Sequence, residues 1–182
     1  MTLISIQSAD LEPCTGCGGL FLHLDGPTHR YMESSASCWA TFGAMNDPSR
    51  SIEYVPFSAL TVDAYAAQHP GQPSHQTVNS VAIHLMVLFG VLERGYEPEQ
   101  ALWLRTRPGR LGKTLKHDRF HWLTPPSFTS RLTLADVVAG RTPRERSPMI
   151  QAWTEDVWAA WAAPHSVQVE AWFERYILSE RL

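Results

Sequence analysis

The chain has no apolar run long enough to cross a membrane and no excess of basic charge. The longest apolar stretch, Val81 to Leu92, is interrupted by His84 and Gly90, whereas a spanning helix needs about 20 apolar residues. Lys and Arg number 15 against 18 Asp and Glu, which disfavours a generic nucleic-acid-binding face. The first ten residues show neither a basic region nor an apolar core, so we expect no secretory signal and a cytoplasmic protein.

Three widespread catalytic and nucleotide-binding motifs are also missing. The chain contains no Gly-x-Ser-x-Gly elbow, no phosphate-binding Gly-x-x-x-x-Gly-Lys-[Ser/Thr] loop and no Gly-x-Gly-x-x-Gly dinucleotide motif. The string Gly109-Arg-Leu-Gly-Lys-Thr ends like a phosphate loop but lacks its glycine spacing. The sequence therefore predicts none of these sites, and it does not specify a reaction.

The one local excess of positive charge lies between Arg105 and Arg119. It includes Pro108-Gly109, a pair typical of turns. We interpret this stretch as a solvated loop rather than as a site for phosphate or an acidic partner.

Cysteines are few, but their arrangement indicates a metal site. Cys14-Thr-Gly-Cys17-Gly has the spacing of a zinc knuckle, in which two thiolates bind one ion and glycines turn backbone amides toward the sulfurs. Cys38 follows later, with His29 between. We predict a tetrahedral site for Zn2+ formed by Cys14, Cys17, Cys38 and His29.

Several alternatives to this site stay open. His69 is a second candidate for the fourth ligand, and the ligand types also suit iron. Cys38, beside Trp39, is also consistent with a small buried apolar residue. A redox dithiol at Cys14 and Cys17 is a further alternative, although the strand-then-helix context of thioredoxin-like motifs is missing.

A second group of polar residues predicts a pocket. The segment 60–71 combines Asp63, Tyr65 and His69 with few large apolar side chains, and His84 lies among apolar residues further along. A buried imidazole needs polar partners for its nitrogens. These four residues are our candidates for acid/base chemistry, while the competing interpretation is that each histidine simply has a hydrogen-bond partner in the core.

Periodicity and capping signals predict a mainly α fold: a compact helical domain with an irregular, metal-clamped N-terminal segment. Apolar residues at spacings of three and four predict a central helix ending near Glu93, closed by Gly95. We expect one domain, 1–182, in which the Cys/His-rich segment 1–46 packs on a helical body, 57–182. A further helix is predicted to begin after the candidate caps Ser34 and Ser35 and to stop at Asn46-Asp47-Pro48. Others are predicted over 59–68, 97–105 and 133–139, from Ser147 to Pro164, and after Pro164.

The C-terminal helices carry an aromatic stripe. Trp153, Trp158 and Trp161 share one helical face, which indicates core or interface rather than a cofactor site. An interface would meet a partner chain or a second copy of this one.

Three strings in the chain form a distinctive set. They are Cys14-Thr-Gly-Cys17-Gly, Asp25-Gly-Pro-Thr-His29-x-Tyr31 leading to Cys38-Trp39, and Leu60-Thr-Val-Asp63-Ala-Tyr65-Ala-Ala-Gln68-His69-Pro70-Gly71 followed by Ser80-Val-Ala-Ile-His84-Leu. Together they resemble a family of uncharacterised bacterial proteins known as a domain of unknown function, and the likeness runs from about residue 14 to the Trp-Leu-Thr-Pro-Pro stretch near 126. The resemblance implies a small cytoplasmic bacterial protein, brings no established activity, and directs attention to the same cysteines and histidines.

Two hypotheses about function follow. In the first, the chain binds zinc, and an open coordination position or the adjacent pocket acts on a small molecule as a metal-dependent hydrolase or lyase. In the second, zinc is purely structural and the chain is a binding or regulatory module whose tryptophan-rich helices meet a protein partner.

Overall fold

The computed structural model describes residues 11–47, 57–111, 120–129 and 131–179, and over these ranges the protein is mainly helical, as predicted. Two short strands precede six α-helices. The elements are β1 (Leu11–Pro13), β2 (Leu20–Leu22), α1 (Ala36–Met45), α2 (Thr61–Gln68), α3 (His75–Arg94), α4 (Ala101–Leu111), α5 (Leu134–Val138) and α6 (Pro143–Phe173), with 3-10 turns at Ser58–Leu60 and Pro98–Gln100 and a terminal π-turn at Glu174–Leu178.

The N-terminal segment forms a small antiparallel hairpin. Its register pairs Leu11 with Leu22 and Pro13 with Leu20. We call the connection Cys14–Gly19 the knuckle. It is closed by the Cys14 amide, which donates to the Gly19 carbonyl over 2.8 Å. Gly18 adopts φ 74°, a left-handed conformation that glycine accommodates without strain.

Helix α1 begins where the sequence predicts. The Ser35 side chain caps it by accepting a hydrogen bond from the Cys38 amide over 3.2 Å. Helix α2 differs slightly from its predicted start at Ala59, because a 3-10 turn at Ser58–Leu60 comes first and the α-helix begins at Thr61. Because Ser35 caps α1, Cys38 lies on the first turn of that helix.

Helix α3 is the central element. Ser74 caps its start, and Gly95, at φ 72°, ends it as predicted. It contacts α2, α4 and α6. By length and composition this helix would be able to cross a membrane, but half of its apolar window is buried within the protein, which is the pattern of a core helix.

Helix α4 corrects the prediction of a loop. The helix continues through Pro108 to Leu111, and proline removes only one amide donor from it. The helix follows a 3-10 turn with a capping box at Glu97. Arg105 therefore lies inside a helix. The remaining part of the predicted loop, residues 112–119 with His117, lies outside the described residues.

The C-terminal region also differs from the prediction, because one helix replaces two. Helix α6 begins at Pro143, where Thr142 and Glu145 form a capping box, and it runs through Pro164. Pro164 itself is exposed, while Trp161 and Val169, before and after it, are fully buried. Packing on both sides holds the helix together where one backbone hydrogen bond is lost.

The aromatic stripe belongs to the core. Trp153, Trp158 and Trp161 are at most 4% exposed, so they offer little surface to a partner. The same buried cluster includes Cys14, Phe21 and Phe42 of the N-terminal segment. The apolar core therefore continues from the helices into the hairpin region.

Candidate metal centre

Three cysteines and one histidine meet in the interior. Cys14 and Cys17 come from the knuckle, Cys38 from the first turn of α1, and His69 from the position directly after α2. Their candidate ligand atoms all lie within 4.8 Å of one another. Cys38 and His69 are fully buried, and the two knuckle cysteines are 3% exposed. We call these four residues the Cys3His cluster, and a metal ion could bind there.

The spacing within the cluster suits a tetrahedral ion. With Zn–S bonds of about 2.3 Å, sulfur ligands lie about 3.8 Å apart. The Cys38 Sγ atom is 3.4 Å from Nε2 of His69, and all three cysteines are free thiols rather than disulfides. The donor atoms thus already surround a space of the right size.

The histidine in the cluster is His69, the alternative fourth ligand, and not His29. The His29 Nδ1 atom instead faces the backbone amides of Tyr31 and Met32, at 3.4 and 3.2 Å. Its ring packs edge-on against Tyr31 and Trp39. His29 therefore contributes to the packing of the 29–39 segment.

Each sulfur atom receives a hydrogen bond from a group outside the cluster. The Gly19 amide donates to Cys17 and the Ser35 amide donates to Cys14, both over 3.4 Å. The Tyr65 hydroxyl donates to Cys38 over 3.6 Å. Burial raises the pKa of Tyr65 far above its usual range, so its proton stays available for this bond. Such donors stabilise thiolates that bind a metal ion.

The imidazole of His69 is oriented for coordination. Its Nδ1 atom donates to the Tyr65 carbonyl over 2.8 Å, which leaves the Nε2 lone pair facing the cysteines. The backbone around it is tied to the N-terminal segment. The Glu33 amide donates to the His69 carbonyl over 3.3 Å, and Pro70 forms a β-bridge with Met32.

The three thiols ionise as one set. A hydrogen bond from Cys17 holds the pKa of Cys14 far below its usual range. The same hydrogen bond raises the pKa of Cys17 to about 12. The hydrogen bond between Cys38 and Cys14 raises the pKa of Cys38 further. One thiolate is thus favoured while the next two are opposed by the negative charge already present. The positive charge of a bound divalent cation would offset this negative charge and favour ionisation of the other two thiols.

Gly16 leaves room for the histidine. A Cβ atom at this position would lie 2.0 Å from the Glu33 carbonyl oxygen and 2.7 Å from Cδ2 of His69. Only glycine lets the knuckle approach both groups this closely. The CxxCG pattern is therefore matched to the position of His69 as well as to the sulfurs.

One buried polar atom in the described part of the chain has no hydrogen-bond partner, the Oγ atom of Ser34. Ser34 precedes Ser35, whose amide donates to Cys14. The Ser34 hydroxyl lies toward Tyr65 and lowers the pKa of that phenol, against the larger effect of burial.

An open groove of about 890 Å³ lies outside the cluster. The knuckle forms one wall. The opposite wall comes from the segment 122–136 and includes Trp122, Pro126 and Phe128. The position of the knuckle thus determines the width of this groove.

The predicted pocket of four polar residues separates into two places. Tyr65 and His69 belong to the Cys3His cluster. Asp63 and His84 form a separate network in which the His84 Nδ1 atom lies 2.7 Å from Oδ1 of Asp63. The Arg105 guanidinium completes this network with a bidentate contact to the Asp63 carboxylate, in which Nε donates to Oδ1 and Nη2 donates to Oδ2.

The hydrogen bonds that Arg105 and Gln68 make in the interior were not predicted from the sequence. Arg105 was interpreted as part of a solvated loop, although a buried aspartate always needs a positively charged or hydrogen-bonding partner. Gln68 accepts a hydrogen bond from the Trp153 indole over 2.9 Å and donates to the Leu132 carbonyl over 2.7 Å. No local pattern indicates either partner.

Comparison with known proteins identifies the family of the chain. No curated protein and no solved structure matches the chain. A model described as a family of unknown function (DUF5946) matches residues 12–162, a range that contains the whole Cys3His cluster together with Asp63, His84 and Arg105. The chain therefore belongs to the family of unknown function DUF5946.

Proposed function

We propose that this is a zinc-binding protein in which one Zn2+ ion, held by the Cys3His cluster, clamps the knuckle onto α1 and α2. The observation that carries the proposal is the closure of the cluster. Four buried protein donors face one tetrahedral space, which is the arrangement of structural zinc sites.

A structural role is favoured over catalysis at the metal. A catalytic zinc ion keeps one coordination position for water, whereas here all four positions are supplied by protein. A metal-dependent hydrolase or lyase at this centre would have to release His69 or a cysteine. His69 is held by its hydrogen bond to Tyr65, and each sulfur by a donor of its own.

Zinc is favoured over iron because it takes a tetrahedral sulfur-rich ligand set without redox chemistry. Three thiolates, a neutral imidazole and Zn2+ leave one negative charge, which the three hydrogen bonds to sulfur offset. A cytoplasmic location, where thiols stay reduced, belongs to this proposal.

The N-terminal hairpin is the part of the chain that the metal ion would stabilise. Strands β1 and β2 pair over three residues each, and Leu11, Leu20 and Leu22 are 40 to 56% exposed. A hairpin this short has little stability of its own. A metal ion that joins the knuckle to Cys38 and His69 links three distant parts of the chain, so its binding energy becomes folding energy.

The clamp also supports a binding role. Because the knuckle is one wall of the groove, the metal would fix the shape of a surface on which a ligand can bind. This supports the binding-module hypothesis through the groove rather than through the tryptophan stripe, which is buried.

The direct test is elemental analysis of the protein purified under reducing conditions. Wild type should contain about one equivalent of zinc, as one complete Cys3His set implies. The Cys17→Ser variant should lose it, while a Ser127→Ala variant in the opposite groove wall should keep it. Absence of metal from wild type, or equal zinc in wild type and Cys17→Ser, would overturn the proposal.

A further inference from the structure

The two knuckle cysteines differ from the other two residues of the Cys3His cluster in their access to solvent. Cys14 and Cys17 both line the open groove of about 890 Å³, and each is 3% exposed. Cys38 and His69 are fully buried and are not among the described residues that line the groove. A small molecule that enters the groove therefore meets two of the three sulfur atoms.

The sulfur atoms are close enough to react with one another after a small movement. The candidate ligand atoms of the cluster all lie within 4.8 Å of one another, and all three cysteines are free thiols. The S–S bond of a disulfide is about 2.0 Å long. One of the two partners in a disulfide would therefore have to move toward the other.

The knuckle is the part of the cluster best able to make that movement. It connects two strands of three residues each, and three of its six residues are glycines, which adopt a wide range of backbone conformations. Cys38 is held in the first turn of α1, where its sulfur accepts a hydrogen bond from Tyr65. A disulfide therefore forms more easily between Cys14 and Cys17 than between either of them and Cys38.

We propose that Cys14 and Cys17 are a site of reversible oxidation, at which a peroxide in the groove converts the two thiolates to a disulfide and the metal ion is released. The inference rests on the zinc site proposed above and adds its regulation. The sequence leaves a metal site and a redox dithiol as alternatives for these cysteines. Here the same two sulfur atoms take part in both.

The reaction is a two-electron oxidation of two thiolates by one molecule of hydrogen peroxide. The first thiolate forms an S–O bond, the O–O bond breaks, and the departing hydroxide takes a proton to become water. The second thiolate attacks the sulfur of this sulfenic acid, so that the S–S bond forms and the S–O bond breaks. The second hydroxide also takes a proton. Two thiolates, two protons and hydrogen peroxide thus give one disulfide and two water molecules.

Oxidation would remove two of the four metal donors together. The thiolate is the form of cysteine that binds a metal ion, and a disulfide has no thiolate. Cys38 and His69 remain in place, but two protein ligands do not complete the tetrahedral set of a structural zinc site. The knuckle is then no longer joined to α1 and α2, so the wall that it contributes to the groove is no longer fixed.

The test is peroxide treatment of the zinc-loaded wild-type protein after removal of reductant. Zinc content is measured first, and the zinc released on adding hydrogen peroxide is then followed with a chromogenic chelator. We expect the release of about one equivalent, the whole content of one Cys3His site. Thiol alkylation and peptide mass spectrometry should then find Cys14 joined to Cys17 and Cys38 as a free thiol. Dithiothreitol together with zinc should restore the metal content.

A Cys17→His variant is the matched control. It keeps four donors, because an imidazole also binds zinc, but it cannot form the disulfide between the knuckle cysteines. It should release zinc more slowly than wild type at the same peroxide concentration. The disulfide mapping and the zinc release of wild type test the inference even if this variant does not fold.

The possible outcomes separate this inference from the zinc site itself. Zinc retained by wild type after peroxide, a disulfide that includes Cys38, or oxidation of Cys14 to a sulfinic acid without a disulfide would overturn the inference and leave the zinc site standing. Equal rates of zinc release from wild type and folded Cys17→His would do the same. Absence of zinc before peroxide is added would overturn the zinc site and the inference with it.

Discussion

Nε2 of His69 lies 3.4 Å from Sγ of Cys38, which brings the end of α2 against the first turn of α1. The Tyr65 ring stacks on His69 and on Phe42 with centroid distances of 4.0 Å. The Cys3His cluster and the aromatic core therefore share their side chains. A change at the metal ligands is expected to reach the core directly.

The two histidines proposed for the fourth ligand can be separated by mutation. We expect His69→Ala to lose the metal ion, because it removes one donor and the contact with Cys38. We expect His29→Ala to retain it, since His29 contacts Tyr31 and Trp39 instead. Zinc content of the two variants is the measurement. Zinc loss in His29→Ala with retention in His69→Ala would reverse the assignment.

Two glycines offer a matched pair for the knuckle. Gly16→Ala should lower the free energy of unfolding by about 2 kcal/mol, the scale of overpacking, and weaken metal binding. Its Cβ would meet a backbone carbonyl and the ligand His69. Gly43→Ala, in α1 with nothing within 4 Å, should raise stability by about 0.5 kcal/mol. Thermal unfolding of both zinc-loaded variants measures these changes in stability. An equal change in the two variants would contradict the packing argument.

The sequence predicted the cysteines of this site, but it favoured His29 over His69, which is the histidine that the structure places with them. Cys14, Cys17 and Cys38 are close in the chain, and their spacing carries chemical information. His69 reaches them only because Glu33 and Met32 pair with the backbone at His69 and Pro70. That contact is tertiary, and no local pattern reports it.

Metal binding should release protons. The pKa of Cys17 is raised to about 12 and that of Cys38 is raised further, whereas that of Cys14 is lowered. At neutral pH an incoming ion must therefore displace about two protons. Because protons and metal compete, zinc affinity should rise with pH and fall on acidification.

The pH dependence can be measured directly. Competition with a zinc chelator at pH 6, 7 and 8 should give affinities that increase by about two orders of magnitude per pH unit, as two displaced protons require. The number of protons can be checked by calorimetry in buffers with different ionisation enthalpies. An affinity independent of pH would mean that the thiols are already ionised without metal.

Gln68 links α2 to α6 and should matter for stability. Its amide oxygen accepts from Trp153 and its amide nitrogen donates to the Leu132 carbonyl, so Gln68→Ala leaves a buried indole N–H and a half-buried carbonyl unpaired. We expect a loss of about 2 to 4 kcal/mol in the free energy of unfolding. Gln151→Ala, an exposed residue bonded to Glu155, should change it by less than about 0.5 kcal/mol. Denaturant unfolding compares the two.

The helices were predicted more accurately at capped ends than at prolines. Ser35 and Gly95 are helix boundaries that the sequence predicts. Pro108 and Pro164 are not boundaries, because burial of neighbouring residues outweighs one missing hydrogen bond. Because Pro108-Gly109 was interpreted as a turn, Arg105 was assigned to a loop, although it is the partner of the buried Asp63.

The most direct test of the structural zinc site is X-ray absorption spectroscopy at the zinc edge on the purified protein. A closed Cys3His centre should give one zinc ion with three sulfur ligands at about 2.3 Å and one imidazole nitrogen at about 2.0 Å. A spectrum that requires a water oxygen, or fewer than three sulfurs, would contradict the closed Cys3His centre.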